Sequence, residues 1–366
     1  MLIGVNMYIE YLRLINYRNY EMLDLKLTKE VNIFIGDNAQ GKTNILESIY
    51  LASLGKSHRT KRDKELIMWN REAAYIQLYV CKERLNKKID MKIFKHGAKG
   101  LNINSIKVNK LSELIGALNV VMFSPEDLKI IKESPVYRRK FLDIELCKLS
   151  KAYLHNLTQY KKALGERNAA LKKIHNKELL DIYDMTLASF GIKIIKDRIE
   201  YIKNLNLYGK EMHRDITKNR EVIEFRYISP LNDITEEELY KLFVKNRERD
   251  IFNKSTNVGP HRDDFEILTN ETDTRIYGSQ GQQRTAVLTI KFASLKVIKH
   301  ITGEYPVLLL DDVLSELDSN RQRYILNSIK DVQTFITCTG VSDIREHISG
   351  ETKVFLVNKG HIDEIT

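Results

Sequence analysis

The sequence predicts an α/β protein: a mixed sheet carrying a phosphate-binding loop, with a second, largely helical lobe. Three observations carry this. Val31 to Thr43 reads as an apolar strand running into G-x-x-x-x-G-K-[ST], with an amphipathic helix behind it. Pro306 to Asp312 is a second apolar strand, ending in two acids. Between them, residues 137–174 hold no proline and one glycine, Gly165, while apolar residues recur at steps of three, four or seven.

The totals set bounds. A chain of 366 residues with 43% hydrophobic and 30% charged residues has core enough for two lobes and is not disordered. No run approaches the roughly 18 apolar residues of a membrane span. Met1 to Asn6 is too short and uncharged for a signal peptide, and Met7 is an alternative start. Cys81, Cys147 and Cys338 lie far apart without metal spacing, which suits thiols in a reducing cytoplasm. The net charge is +10, and residues 129–177 carry 13 Lys/Arg against four acids, an excess of nine. So uneven a distribution points to a polyanionic partner, although a Lys-rich composition is the duller alternative.

In chain order, Tyr8–Tyr17 and Leu23–Leu27 alternate as strands, with Asn16 to Tyr20 as the loop between them. Ile45, Leu46, Ile49 and Ala52 form one face of the helix after the phosphate loop, and Gly55 stops it. Lys56 to Lys64 is a basic loop suited to phosphate contacts or simply to solvent. Tyr75–Cys81, Lys88–Phe94 and Leu101–Val108 read as an antiparallel meander added to the nucleotide-binding sheet. Ser124-Pro125-Glu126-Asp127 and Thr235-Glu236-Glu237-Glu238 are helix starts. A seam of Leu142, Leu146, Leu149, Tyr153, Leu157, Tyr160, Leu164 and Leu171 breaks near Asn176. A second helical run then extends to Ile202, making a helical hairpin. Asn257 to Asp264 reads as a salt-bridged turn before a strand. A helix follows Gly278 to about Lys299, and Val332–Cys338 and Lys353–Val357 are further strands. The expected lobes are residues 1–124 with 304–366, and 125–303.

The chemistry follows from three motifs. Backbone N–H groups of Gly36, Asp37, Asn38, Ala39, Gln40 and Gly41 would cradle the phosphates of ATP at the positive end of a helix. Lys42 would reach the β/γ-phosphates, and the Thr43 hydroxyl would bind Mg²⁺. Asp311 would hold the same Mg²⁺, and Asp312 would orient or deprotonate the attacking water. A glycine turn, or two acids at a strand end, is commonplace alone; their conjunction specifies the site. Ser279, Gln280, Gly281 and Gln282 offer a hydroxyl and backbone N–H groups at a helix N-terminus. If they cannot reach their own Lys42, they meet a γ-phosphate held by another subunit, which predicts an ATP-sandwiched homodimer.

This set resembles the ABC-type ATPase heads of SMC-like proteins, and within them the bacterial RecF family. The matching stretches are Gly36 to Asn44, Ser57 to Thr60, Phe123 to Leu128, Arg138 to Asp143, Gly259 to Asp264 and Gly278 to Thr285. The resemblance implies an ABC-type fold, a slow DNA-stimulated ATPase, and binding of double-stranded, single-stranded and gapped DNA. It also implies work with RecR and RecO in loading recombinase, a role in the SOS response, and a cytoplasmic, nucleoid-associated location without a membrane. It assigns Ser315 and Asp318 to the D-loop. Candidate DNA contacts are Lys56, Arg59, Lys61, Arg62, Arg138, Arg139, Lys140, Lys161 and Lys162. Two departures stand out. Gln280 replaces the usual Gly of Ser-Gly-Gly-Gln, and Thr337-Cys338-Thr339 stands where a switch His is usual. The competing classes are a non-catalytic protein shaped by bound ATP, and a transporter's ATPase subunit. The basic hairpin argues against the latter.

Overall fold

The computed structural model describes residues 7–173, 177–231, 235–340 and 350–365. The expected break at Asn176 and the readings on Met1 to Asn6 fall outside them. The chain forms two compact units, Met1–Asp127 with Ser294–Thr366, and Leu128–Ala293.

The first unit opens with β1 (Tyr8–Tyr17) and β2 (Tyr20–Lys26), a hairpin closed at Tyr17 and Tyr20. A bulge between Ile9 and Tyr11 shifts the phase of β1, so Ile9, Leu12 and Leu14 all reach the core. Then come β3 (Val31–Ile35), α1 (Lys42–Leu54), β4 (Ala73–Cys81) and β5 (Lys87–Phe94). The expected strand over Leu101–Val108 is two, β6 (Gly100–Ile103) and β7 (Ile106–Lys107). Asn104 and Ser105, both at positive φ, turn the chain between them. These strands are not an addition to the sheet of β3. The order β2-β1-β4-β5-β6-β7 is a separate antiparallel sheet. Alternation identifies strands but not which sheet they join. β8 (Val120–Phe123) ends this part of the chain.

The second unit begins with α2 (Lys129–Lys132), α3 (Pro135–Leu149) and α4 (Lys151–Lys173). Asp127 accepts the Ser124 N–H at 2.8 Å just before it, as a capping box requires. The apolar seam is therefore split between two helices at Ser150. α5 (Lys177–Thr217) runs for 41 residues, well beyond Ile202, and pairs with α4 as a hairpin. β9 (Ile223–Ile228), α6 (Glu236–Lys245) and α7 (Arg247–Asn253) follow, with Thr235 capping α6 through the Glu238 N–H. β10 (Asp264–Thr269) and β11 (Thr272–Asp273) complete a small sheet, β11-β10-β9. α8 (Thr274–Tyr277) leads to α9 (Gln280–Thr302), in which the chain passes back into the first unit.

The interior of the second unit is pinned by a fully buried guanidinium. Arg167 on α4 donates to Asp184 on α5 at 2.6 Å, and to Asp250 on α7 and Thr256 at 2.7 and 2.8 Å. Where β10 starts, Asp264 receives both arms of Arg138, and Asp263 just before it accepts the Tyr227 hydroxyl.

β12 (Val307–Asp311), α10 (Ser319–Ser328), β13 (Thr334–Cys338), β14 (Thr352–Asn358) and β15 (His361–Glu364) finish the first unit. The order is β15-β14-β3-β13-β12-β8, parallel except for the edge strand β15. β3, β12 and β13 have no exposed residue, as strands covered on both faces do, although Asn32, Thr334 and Thr337 interrupt the apolar runs. Phe34 stacks on Phe335 and Phe355 in this core. Because β13 lies between β3 and β12, the carboxyl ends of all three open on one edge, where α/β sheets place ligands.

Two half-buried imidazoles give a pH prediction. Burial lowers His58 in the first unit and His261 in the second from 6.5 to about 4. Below pH 6.5 the unfolded chain binds the extra protons, so stability is full above that value and falls as the pH drops toward 4. Urea unfolding across that window should show a falling midpoint, and His58→Gln should flatten part of it.

Candidate nucleotide site

The site is built where β3 and β12 end. Gly36 and Gly41 sit at φ 145° and 117°, in the left-handed region. A Cβ on Gly36 would lie 2.3 Å from the Val357 carbonyl oxygen, so no other residue fits the turn. Asn19 donates to the Gln40 carbonyl at 2.9 Å and Tyr20 to that of Gly41 at 3.0 Å, while Gln40 accepts the Lys359 N–H at 2.7 Å. The loop is held from both sides before any ligand arrives. Lys42, buried, donates to the Gly36 and Asp37 carbonyls at 2.6 and 2.9 Å.

The two distant motifs meet. The Thr43 hydroxyl donates to Asp311 Oδ1 at 2.8 Å, across 268 residues of sequence. Burial raises the Asp311 carboxyl above its usual range. A hydroxyl and a carboxylate this close are the hard oxygen pair that Mg²⁺ takes, so the donor set fits that ion. Asp312 stands next to them at φ 53°. The Ser315 hydroxyl donates to the Asp312 carbonyl at 2.8 Å, and Asp318 caps α10 through the Asn320 and Arg321 N–H groups.

Residues outside the three motifs support the site, and the sequence analysis gave Glu47 no part in it. Glu47, on the first turns of α1 and fully buried, receives both arms of Arg18 at 2.8 and 2.9 Å and the Ser57 hydroxyl at 2.5 Å. Burial pushes its carboxyl up, but those donors outweigh it and hold it below its usual range. Arg59 lies 3.6 Å from Glu47 and donates to Asn44 at 2.9 Å. The signal was present: Glu47 is a carboxylate among Ile45, Leu46 and Ile49. Thr337, at the end of β13, accepts the Asp312 N–H and donates to Asp311 Oδ1, both at 2.9 Å.

Ser279 and Gln282 in the second unit form a reciprocal capping box at the start of α9. The Ser279 hydroxyl accepts the Gln282 N–H at 3.2 Å, and Gln282 Oε1 accepts the Ser279 N–H at 2.9 Å. Ser279 and Gln280 are exposed, Gly281 partly so.

The basic candidates divide. Lys56, Arg59, Lys61, Arg62, Lys140, Lys161 and Lys162 are exposed. Arg138 and Arg139 are corrections. Arg138 is 3% exposed and bound to Asp264 at 2.7 and 2.8 Å. Arg139 is half-buried and donates to the Asp263 carbonyl at 2.8 Å. Successive helical residues are about 100° apart, so Arg138 and Lys140 point to nearly opposite sides of α3, one inward and one to solvent. Among the described residues no helix is long and apolar enough to cross a membrane.

The comparisons agree with this geometry. Residues 8–363 match the RecF/RecN/SMC N terminal domain model. The DNA replication and repair protein RecF of Clostridium perfringens (strain 13 / Type A) is 60% identical over 359 residues, covering 97% of this chain and 99% of its own. That of Clostridium kluyveri is 60% identical over 364 residues, covering 98% and 100%. A solved structure of the recombination mediator protein RecF-ATPrS in the RecFOR pathway superposes with a TM-score of 0.92 at 38% identity, covering 99% of each chain. The RecF-ATP structure gives 0.89 at 39%, covering 98% and 99%. An Smc head from Pyrococcus furiosus shares the fold alone, with a TM-score of 0.58 at 16% identity. From the joined phosphate loop and acidic strand to these full-length matches, the chain belongs to the RecF family of ABC-type ATPase heads.

Proposed function

We propose that this chain is an ATP-dependent DNA-binding protein of recombinational repair and replication restart, with an ATP-driven dimer that clamps DNA and hydrolysis that releases it. The observation that carries the reading is the convergence of Thr43, Asp311 and Asp312 beside a braced phosphate loop. Mg²⁺ bound at Thr43 and Asp311 would neutralise charge on the phosphate oxygens. Lys42 would exchange its two loop carbonyls for phosphate oxygens. Asp312 would hold the attacking water. Turnover is slow and DNA-stimulated in this reading, since Thr337-Cys338-Thr339 supplies no switch His.

The first unit is the ATPase lobe, and the second is the helical lobe that presents the signature residues. Ser279 to Gln282 act in trans, on nucleotide held by a second copy. Their exposure at a capped helix start supports this. Lys56, Arg59, Lys61, Arg62, Lys140, Lys161 and Lys162 supply the phosphate contacts to double-stranded, single-stranded or gapped DNA. The solved relatives are described as members of the RecFOR pathway, which supports RecR and RecO as partners and recombinase loading and the SOS response as context.

Ser279→Ala tests the composite site. ATP binding to the monomer should stay within about twofold, while the dimer dissociation constant rises at least about tenfold, or ~1.4 kcal/mol. The lost cap costs about 1 kcal/mol of helix stability, which a thermal melt measures separately. Normal ATP-dependent dimerisation of this variant would remove Ser279 from the site.

A further inference from the structure

We propose that Thr337 is a positioning residue for ATP hydrolysis, tying both strand-end acids to one hydroxyl; this rests on the ATPase reading above. β12 and β13 pair in parallel with Asp311 opposite Thr337, so the Thr337 side chain stands beside both acids. Its Oγ1 accepts the Asp312 N–H at 2.9 Å and donates its own hydrogen to Asp311 Oδ1 at 2.9 Å. One oxygen thus serves two neighbouring residues, once as acceptor and once as donor.

The two bonds have different consequences. Asp312 is at φ 53°, a conformation that costs a non-glycine residue energy and persists only when its surroundings enforce it. The bond to its N–H is such an enforcement, because it fixes the peptide from which the Asp312 carboxylate projects. At Asp311, Thr43 and Thr337 both donate to Oδ1. The carboxylate therefore cannot rotate freely, and Oδ2 receives no hydrogen bond from the described residues. The hydroxyl that clamps Oδ1 leaves Oδ2 as the oxygen offered to a cation or to water.

Thr337 does not touch nucleotide in this account. It acts through the orientation of Asp311 and Asp312, so its loss should appear in turnover more than in affinity. A buried Thr at the end of a core strand is otherwise unremarkable, and Val would satisfy the packing equally well. The requirement for a hydroxyl is what separates the two roles.

The experiment compares Thr337→Val, Thr337→Ser and Asp312→Asn with the parent, as full-length protein with ATP and MgCl₂. Turnover, ATP dissociation constant, half-saturating Mg²⁺ concentration and melting temperature are measured for each. Thr337→Val keeps the shape and removes the hydroxyl. Its kcat should fall roughly 10- to 100-fold, the scale on which small misplacement of catalytic groups acts. Its ATP dissociation constant should change less than about threefold, by the same distinction between orientation and binding. Thr337→Ser should recover most of the parental kcat, and its Mg²⁺ requirement should match the parent's. Parental kcat in Thr337→Val overturns the proposal. So does a loss that Ser fails to rescue, or one matched by an equal loss of ATP affinity. Should Thr337→Val melt too early to assay, Thr337→Ala takes its place, with a lowered kcat at unchanged ATP affinity supporting the proposal and parental kcat overturning it. Asp312→Asn separates the two levels: if neither it nor the parent hydrolyses ATP above background, the ATPase reading fails, whatever Thr337 does. If it is inactive while Thr337→Val is normal, only the role of Thr337 fails.

Discussion

Asp312→Asn is expected to lower ATP turnover by roughly 10²–10⁴-fold, the range over which a positioned general base acts. Asn keeps the size of the side chain and removes its charge and basicity. The backbone at φ 53° tolerates Asn as well as Asp, so the substitution should not unfold the turn. The Asp312 carboxylate carries no hydrogen bond among the described residues, in contrast to Asp311 with its two hydroxyl donors. An acid left unengaged beside a braced phosphate loop suits work on water rather than support of the fold. ATP affinity should change little, because Lys42 and the loop N–H groups are untouched. The assay is phosphate release with and without duplex DNA, together with equilibrium ATP binding. A parent that, like Asp312→Asn, releases no phosphate above background would mean that ATP serves only as a shape-setting ligand.

The largest effect on stability is expected from Arg167→Met. The guanidinium is wholly buried and joins α4, α5 and α7 through Asp184 and Asp250, and its face lies over Phe243. Met fills a similar volume but leaves two carboxylates in the interior with less than their full set of donors. Asp184 keeps Arg247 at 2.7 Å, and Asp250 keeps Asn257 at 2.9 and 2.8 Å. Breaking a buried ion pair from one side typically costs ~3–5 kcal/mol. Urea unfolding followed by helical circular dichroism should show a loss of that size, with Asp250→Asn recovering part of it in the double variant. A loss under about 1 kcal/mol would mean that Arg167 is not what joins these helices.

Much of this was legible in the residues. The phosphate loop, the strand ending in Asp311 and Asp312, and the strand Tyr8–Tyr17 declare themselves through periodicity and turn chemistry, both local. The separate antiparallel sheet did not, since alternation says nothing about which strand a neighbour joins. Ser150 splits an apolar seam that continues in register on both sides, so spacing alone ran straight through it. Arg138 reads as surface charge in a basic run, yet it faces inward to Asp264, a partner 126 residues away. Glu47 and Thr337 can be picked out in the chain, but their roles cannot, for a similar reason: they depend on Arg18, Ser57, Asp311 and Asp312, brought together only by the fold. Pairings across long sequence separations are where reading the chain in order stops.

The central claim is that two copies close on ATP. The direct measurement is the mass of Asp312→Asn in solution by light scattering, with and without saturating ATP and Mg²⁺. The account predicts one copy of 42.7 kDa without nucleotide and twice that mass with it. A mass that stays at a single copy at saturating ATP, with nucleotide demonstrably bound, would contradict it.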